Sequence, residues 1–537
     1  MSAEARLHGT KGEIDSNEEL DKKHDADLAP LLDYSEPLRS AKELRAREFT
    51  AKGKPTLYWW QGNFYRWNCA SYFQLSTDDM RARVYKFLDR AKVATDKATT
   101  EPFKPTRMRV TDAIDALRAA ANLDSQKVSP CWLNEEITPA HEFIALKNGL
   151  LHLPTRALRA PTPSYFGLNS LEFAYDPEAP SPAQWIKFLN ELWPNDPESI
   201  TTLQDIFGYL LAHDTAQQKI ILLVGPKRSG KGIIARIVTQ LLGPANVAGP
   251  TLASLGQNFG LAGLVGKQAA IISDARLGNK ADTAAITERL LAISGEDHLS
   301  IPRKFQADYT ARLGVRFLVL TNELPKLTDA SGALVSRFVC LNLSQSFYGR
   351  EDTQLTERLC GELPSILSWA IDGWRRLRDR GHFTQPASAH EAVRELEDLA
   401  SPIGAFLRDC CDVHPAAAVD CAELFATWRA WCDAQGRDHP GTIQGFGRDL
   451  RAAVSGLRVV QPRTEDGRAR HYQGVKKNDW HALARVQQDC GSIYNAGYLN
   501  PSHNTGRNAV ARVPTRATCQ KCDGVTDRNP REGKVKL

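Results

Sequence analysis

The chain has 537 residues, of which 42% are hydrophobic and 24% charged, and its formal net charge is +5. This composition is that of a soluble globular protein, and the length predicts about three or four domains. Because no apolar run approaches the ~20 residues of a membrane span, and the polar start lacks a signal-peptide core, we expect no membrane association. Eleven cysteines, an odd number scattered along the chain, indicate reduced thiols and a cytoplasmic protein.

Residues 1–55 are rich in Glu, Lys, Asp and Ala, and this composition predicts a flexible polar tail. The tail contains Asp25-Ala-Asp27, a pattern that can form the metal pair of a primase or polymerase. A primase needs a large folded domain around such acids. We therefore interpret the pair as solvated charge and expect no primase active site in this chain.

Residues 56–215 are predicted to form a mostly helical α+β domain. An aromatic alternating stretch at residues 57–67 is typical of a hairpin, and Asn148-Gly149 between two apolar runs indicates another. Helical periodicity occupies residues 80–93, 110–123, 185–192 and 200–212. The aromatic residues of this region could stack on nucleic acid, but core packing is the interpretation that we favour.

Residues 220–232 combine an apolar run, a glycine-rich loop and the start of a periodic, helix-like segment. The pattern Gly225-x-x-x-x-Gly230-Lys231 between a strand and a helix predicts a P-loop, whose backbone N–H groups surround phosphate. The predicted nucleotide contacts are Gly225, Pro226, Lys227, Arg228, Ser229, Gly230, Lys231 and Gly232. We expect Lys231 to face solvent without a ligand and to reach the β- and γ-phosphates of a nucleotide. The alternative is a glycine turn before an ordinary helix.

Polar residues also follow predicted strands downstream of the loop. Asp274 ends an apolar strand and is the candidate for holding Mg²⁺ or orienting water; the alternative is a cap of the next turn. Asn322 ends another strand, where it can position the attacking water or merely make a turn. Arg337 precedes a further strand, and it either reaches another subunit or pairs with a local acid such as Asp329.

The order and spacing of the glycine loop, Asp274, Asn322 and Arg337 resemble superfamily 3 helicases, most closely the phage, plasmid and poxvirus primase–helicase type. The resemblance covers residues 57–385. Shorter matches are Asn148-Gly149-Leu150, Phe207-Gly208-Tyr209 and Thr321-Asn322-Glu323-Leu324-Pro325. The resemblance implies an AAA+-like ATPase of residues 216–385, with a parallel sheet flanked by helices, which forms a hexameric ring and translocates on single-stranded DNA.

By matching position, the resemblance implies that Lys231 contacts phosphate, that Asp274 is the Walker B acid and metal ligand, and that Asn322 is the sensor. Arg337 would be an arginine finger that enters the neighbouring subunit's site. A basic hairpin tip with Arg303 and Lys304 would face the central pore and contact DNA. The chain departs from the family because Ser273-Asp274 replaces paired acids and Gly232 replaces the Ser or Thr that ligates Mg²⁺. A weak ATPase therefore stays an alternative.

The C-terminal part divides into two predicted regions. Residues 386–480 show three helices and a hairpin, the pattern of a winged-helix-like domain. Its arginines are candidates for contacting DNA, with docking of another protein as the alternative: Arg448, Arg451, Arg463, Arg468 and Arg470. Residues 481–537 predict a flexible basic tail, in which Cys519-Gln-Lys-Cys522 has the spacing of half a zinc site without a second pair.

The sequence therefore predicts an ATP- and Mg²⁺-dependent DNA helicase of a phage, prophage or plasmid replication module, in the cytoplasm of a bacterial host. We expect a homo-hexamer that acts on single-stranded and forked DNA, with a separate primase and replication proteins as candidate partners. Two alternatives stay open. One is a DNA-stimulated ATPase without unwinding, such as a loader or a defence NTPase; the other is a DNA-binding replication protein regulated by nucleotide.

Overall fold

The structure is a computed structural model that describes residues 29–478, without 96–98, 125, 279–280, 304–307, 328, 330–331, 438–439, 462 and 465–466. All of the described residues belong to one compact unit. The acid pair Asp25-Ala-Asp27, the hairpin residue Lys304 and the cysteines Cys519 and Cys522 therefore lie outside the described residues. The expected domain boundaries after residues 215 and 385 fall inside this unit.

The N-terminal part consists of short strands and amphipathic helices. Its helices are α1 (Pro37–Glu48), α2 (Thr77–Arg90), α3 (Arg107–Ala120), α4 (Ala183–Leu192) and α5 (Pro197–Leu211). Its strands are β1 (Leu31–Leu32), β2 (Thr50–Ala51), β3 (Lys54–Pro55), β4 (Leu57–Trp60), β5 (Asn63–Trp67), β6 (Tyr72–Leu75), β7 (Lys92–Ala94), β8 (Thr100–Pro102), β9 (Cys131–Trp132), β10 (Phe143–Leu146), β11 (Gly149–His152), β12 (Leu158–Arg159) and β13 (Tyr165–Phe166). The aromatic hairpin is β4–β5 and the Asn-Gly hairpin is β10–β11, both antiparallel as expected.

The expected tail is wrong between residues 29 and 55, because α1 is a packed helix rather than a flexible segment. Leu44 and Phe49 are buried, and the buried face of α1 packs on α3. The buried face of α1 has few apolar residues, Ala41 and Leu44, so the polar composition conceals them. Burial against α3, rather than helix propensity, stabilises this helix.

The central part contains a parallel sheet. Its helices are α6 (Lys231–Leu242), α7 (Leu252–Leu255), α8 (Thr283–Ser294), α9 (Leu355–Cys360) and α10 (Leu363–Arg380). Its strands are β14 (Ile220–Val224), β15 (Val247–Ala248), β16 (Ala269–Ile272), β17 (His298–Ile301), β18 (Tyr309–Arg312), β19 (Arg316–Thr321) and β20 (Phe338–Asn342). Among the described residues, five of these strands form one parallel sheet in the order β15-β16-β19-β14-β20, while β17 and β18 form a separate antiparallel hairpin.

Both faces of this sheet are covered, which explains the continuous apolar runs in its strands. Along β14, Ile221 and Leu223 join the core formed with α4, α5, α6 and α10. The alternate residues Ile220 and Leu222 join the opposite core, which α7 and α8 help to form. A strand presents successive side chains to opposite faces, so one five-residue segment anchors both layers.

Helices α5 and α10 cross at unusually close range behind the sheet. A Cβ atom added at Gly208 or Gly373 would lie 2.3 or 2.1 Å from backbone atoms of the facing helix, so only glycine permits this crossing. Beside it, the buried Asp205 accepts hydrogen bonds from Arg376 at 2.5 Å and Arg380 at 2.6 Å. The crossing fixes α5, which leads directly to β14.

The C-terminal part contains the three predicted helices and the hairpin, together with one further helix (His390–Ala400) and one further long strand (Cys411–Asp420). Its elements are α11 (His390–Ala400), α12 (Pro402–Cys410), β21 (Cys411–Asp420), α13 (Cys421–Ala434), α14 (Ile443–Ala453), β22 (Arg458–Val460), β23 (Arg463–Thr464), β24 (Gly467–Arg468) and β25 (His471–Lys477). Strand β25 lies between β21 and β22 in an antiparallel sheet. The sequence did not predict β21, because its Pro- and Ala-rich centre lacks apolar alternation and coincides with an irregularity in the pairing. In the part of the chain that the structure describes, no helix is long and apolar enough to cross a membrane.

Candidate functional site

The loop of residues 225–230, which we call the glycine loop, connects β14 to α6 as the sequence predicts. A Cβ at Gly225 would lie 2.4 Å from the carbonyl oxygen of Leu343, and one at Gly230 would lie 2.7 Å from the Leu192 side chain. Gly230 also has a φ of +89°, which favours glycine. No side chain caps the start of α6, so its first N–H groups remain donors for an anion.

Lys231, the first residue of α6, is buried against the glycine loop instead of facing solvent as expected. Its Nζ donates hydrogen bonds to the carbonyl oxygens of Gly225 at 2.6 Å and Pro226 at 2.8 Å. It also donates to Ser229 Oγ and to Asn322 Oδ1, both at 3.1 Å. Burial lowers the pKa of Lys231. All four acceptors are neutral oxygens, so only their dipoles stabilise the positive charge of Lys231. An anion that enters the site would therefore be attracted to this ammonium group.

Asn322 reaches Lys231 because β19, which it follows, is the direct neighbour of β14. Asp274 follows β16, which lies one strand further away. Its carboxylate accepts hydrogen bonds from Arg276, with Nε at 2.9 Å and Nη2 at 2.6 Å from Oδ2. These hydrogen bonds hold the pKa of Asp274 below its usual value. The structure thus joins Asn322 to the loop, while Asp274 lies outside the cleft described next.

A cleft of about 740 Å³ opens over the glycine loop, between α4 on one side and the segment after β20 on the other. Its lining has an excess of positive charge. The cationic side chains are Lys187, Lys227, Arg228, Lys231, Arg236, Arg350 and Arg358, and the acidic ones are Glu191, Glu351 and Asp352. A cleft of this size and charge suits a ligand with several negative charges.

The wall formed by residues 347–358 was not predicted from the sequence, because it joins the loop only through the fold. Glu351 pairs with Arg228 at 3.4 Å, and Asp352 pairs with Arg358. The hydrogen bond from Arg358 lowers the pKa of Asp352. Phe347 N donates to the Arg228 carbonyl oxygen at 2.9 Å, which ties this wall to the loop. The two carboxylates therefore partly neutralise arginines that line the cleft.

A second cavity, of about 470 Å³, lies on the other side of Asn322. Asn322 lines both the cleft and this cavity. The second cavity is lined by Glu323 from the end of β19 and by Glu391 and Glu395 from α11. Sequence reasoning assigned no role to these acids.

Arg337 lies at the end of the parallel strands opposite to the glycine loop. It precedes β20, whereas the loop follows the neighbouring strand β14. The length of one strand, about five residues or ~16 Å, therefore separates Arg337 from the loop. Its Nη1 donates to the Leu291 carbonyl oxygen at 2.7 Å and to Ser294 Oγ at 2.8 Å, at the last turn of α8. Arg337 thus binds a helix C-terminus of its own chain, and the structure shows no contact between it and Lys231.

The predicted basic hairpin is the β17–β18 pair. At its base, Glu296 pairs with Arg312 and accepts a hydrogen bond from Thr215. Toward its tip, Arg303 Nη2 lies 3.9 Å from where a Cβ at Gly62 would be, so it approaches the turn of the aromatic hairpin. The fold therefore brings the hairpin and the N-terminal part into proximity.

In the C-terminal part, Arg448, Arg451 and Arg470 are exposed, and the Arg448 side chain is 78% accessible. The side chains of the other two predicted DNA contacts, Arg463 and Arg468, lie outside the described residues. The exposed arginines can meet a polyanion without a desolvation cost for buried charge.

Comparison with known proteins identifies relatives of two segments. Residues 43–194 match the family model described as D5 N terminal like, and residues 223–337 match a family of unknown function, DUF5906. Neither match spans half of the chain, so each relates only its own segment to known proteins. Solved structures of the apo C-terminal region of NrS-1 are similar to it: one has 13% identity and a TM-score of 0.49, another 12% and 0.47. Each match covers 82% of this chain and 99% of the NrS-1 chain.

The D5-like match begins within α1 and covers the aromatic hairpin and α4, and the second match begins within β14 and includes the glycine loop. Lys231, Asp274 and Asn322 all fall within the second match. The second family is one of unknown function, so its match assigns no reaction to these residues.

Proposed function

We propose that the chain is an ATP-dependent DNA helicase of a phage, prophage or plasmid replication module, working as a homo-hexameric ring on single-stranded and forked DNA. The observation that carries this proposal is the position of Lys231. Its ammonium begins a helix, contacts Asn322 of the neighbouring strand and lies under a cleft with excess positive charge. Proteins place this combination where a triphosphate is bound and its terminal phosphoryl group is transferred.

In this proposal the glycine loop is the P-loop of an AAA+-like ATPase core. The phosphates of ATP lie against the loop and the first turn of α6, where N–H groups are available. Lys231 leaves the loop carbonyls and donates to the β- and γ-phosphates, so anionic oxygens replace neutral ones as its acceptors. Asn322 orients the attacking water. Positive charge already positioned near the phosphoryl group stabilises the charge that develops there.

Mg²⁺ is the cofactor that this reaction would use, by neutralising charge on the triphosphate. Asp274 is the residue that would support it. A Cβ at Gly232 would have Arg236 Nη1 as its nearest atom, at 3.7 Å, so the place of the usual hydroxyl is open. Mg²⁺ commonly binds through one or two carboxylates, phosphate oxygens and waters, and the residues present fit such limited protein ligation. Asp274 would exchange its contact with Arg276 for this role.

The ring and the DNA path extend the proposal to residues away from the cleft. Arg337 would act as a finger toward the neighbouring subunit, since the sheet holds it far from its own glycine loop. Arg303 and Lys304 would contact the phosphates of single-stranded DNA from the β17–β18 hairpin. The C-terminal helices and antiparallel sheet would form a winged-helix-like domain whose exposed arginines, such as Arg448, contact duplex DNA.

A turnover assay beside an unwinding assay tests the proposal. ATP hydrolysis is measured with and without single-stranded DNA, and strand separation is measured on a forked duplex. A helicase hydrolyses ATP, is stimulated by DNA and separates the strands. Stimulated hydrolysis without separation would favour a loader or defence NTPase, and ATP binding without hydrolysis would favour a nucleotide-regulated DNA-binding protein. Two observations favour these alternatives: Gly232 has no hydroxyl group to bind Mg²⁺, and Asp274 is hydrogen-bonded to Arg276.

A further inference from the structure

The carboxyl edge of the sheet carries a second acid beside Asp274. Glu323 follows Asn322 at the end of β19, and Asp274 follows the adjacent strand β16. Arg276 donates hydrogen bonds to the Asp274 carboxylate. Two carboxylate-bearing residues thus follow neighbouring strands of one sheet, whereas the family pattern has two adjacent acids on one strand.

The backbone of Glu323 is held in a fixed position. Its N–H donates to Thr321 Oγ1 at 3.2 Å, and the Thr321 hydroxyl donates back to the Glu323 carbonyl oxygen. Thr321 is itself buried at the end of β19. The residue between them, Asn322, contacts Lys231 at 3.1 Å. Glu323 is therefore attached directly to the residue that reaches the glycine loop.

The surroundings of Glu323 also provide space for water. Glu323 lines the cavity of about 470 Å³, which shares Asn322 with the cleft over the glycine loop. Since one liquid water occupies ~30 Å³, this space is large enough for several waters beside the Asn322 amide. Neither Asp274 nor Arg276 lines the cavity or the cleft. Of the two carboxylates at this edge, Glu323 is the one with access to water near Asn322.

We propose that Glu323 is the general base of ATP hydrolysis, and that Asp274 and Glu323 divide between two strands the work of paired acids. The proposal rests on the ATPase activity proposed above. In the reaction, the oxygen of water forms a bond to the γ-phosphorus while a proton of that water passes to the Glu323 carboxylate. The bond from the γ-phosphorus to the β–γ bridging oxygen breaks, and its electron pair leaves with ADP.

The test compares Glu323→Gln with Glu391→Gln, which removes an acid from the same cavity on α11. Loss of a general base should lower kcat by about 10²–10⁴-fold, whereas ATP affinity should stay within about threefold of the wild-type value. Nucleotide recovered from denatured Glu323→Gln protein should still be ATP. Glu391→Gln should behave as wild type, and Glu323→Asp should retain part of the rate because it keeps a carboxylate.

Two results would overturn the inference. Turnover of Glu323→Gln within threefold of wild type would show that Asn322 alone positions the water. Loss of ATP binding together with turnover would show that Glu323 acts in binding or folding instead. Both differ from failure of the proposed function, which would appear as no ATP turnover by the wild-type chain under any DNA condition.

Discussion

Replacement of Gly373 by alanine tests the helix crossing that supports the nucleotide site. The new Cβ would lie 2.1 Å from the Gln204 carbonyl oxygen of α5, whereas carbon and oxygen atoms in ordinary contact are about 3.5 Å apart. The helices must therefore separate by about 1 Å. Overpacking of this kind costs about 1–3 kcal/mol, and movement of Asp205 away from Arg376 and Arg380 weakens two buried ion pairs as well.

We expect Gly373→Ala to lose about 3 kcal/mol or more of unfolding free energy, which for a unit of this size corresponds to a fall in melting temperature of about 3 °C or more. The measurement is thermal unfolding followed by far-ultraviolet circular dichroism. Gly404→Ala in α12 is the matched control, because its new Cβ would have its nearest neighbour at 3.8 Å. If the two variants melt within 2 °C of each other, the close crossing does not contribute as the geometry indicates.

Other predictions concern the metal, the DNA and the subunit interface. Gly232→Ser should fold normally, because a Cβ at this position has room. It should bind nucleotide more tightly than wild type in Mg²⁺ but not in EDTA. If the variant gains no affinity from Mg²⁺ relative to wild type, the metal assignment is contradicted. Arg303→Ala should flatten the dependence of single-stranded DNA affinity on salt by about one unit of log–log slope, with basal ATPase retained, and an unchanged slope would remove it from the DNA path. Arg337→Ala and Lys231→Ala proteins should each be inactive, yet their mixture should recover partial ATPase as subunits complement one another. Mixed oligomers without activity would show that no arginine acts across the interface.

Local patterns predicted the core of the site because each pattern lies within one strand, loop or helix. The apolar run, the glycines and Lys231 are contiguous, so their arrangement as strand, loop and helix required no information from the rest of the fold. Asn322 could be placed as well, since residues that follow neighbouring parallel strands meet at one edge. The hairpin β17–β18 was predicted from its apolar strand and basic turn.

Properties that depend on distant segments could not be predicted. The wall of residues 347–358 reaches the cleft only because β20 pairs with β14. The burial of Lys231 depends on carbonyl oxygens that turn inward, which residue types do not reveal. Arg276 is two residues from Asp274, but its hydrogen bond to that carboxylate depends on the orientation of both side chains, which the sequence does not show. Helix α1 is stabilised by its contact with α3, which its polar sequence does not show.

The central claim is that Lys231 binds the phosphates of a nucleotide that this chain hydrolyses. The most direct measurement is ATP turnover by Lys231→Ala with saturating single-stranded DNA, with circular dichroism as a check of folding because Lys231 is buried. Lys267→Ala is the matched control, since Lys267 also donates to a backbone carbonyl oxygen, that of Ala245 at 2.5 Å, but lies outside the cleft. We expect the wild-type and Lys267→Ala proteins to hydrolyse ATP, and folded Lys231→Ala protein to have lost about 10³-fold or more of this rate. A folded Lys231→Ala protein that turns over ATP at the wild-type rate would contradict the assignment of the site.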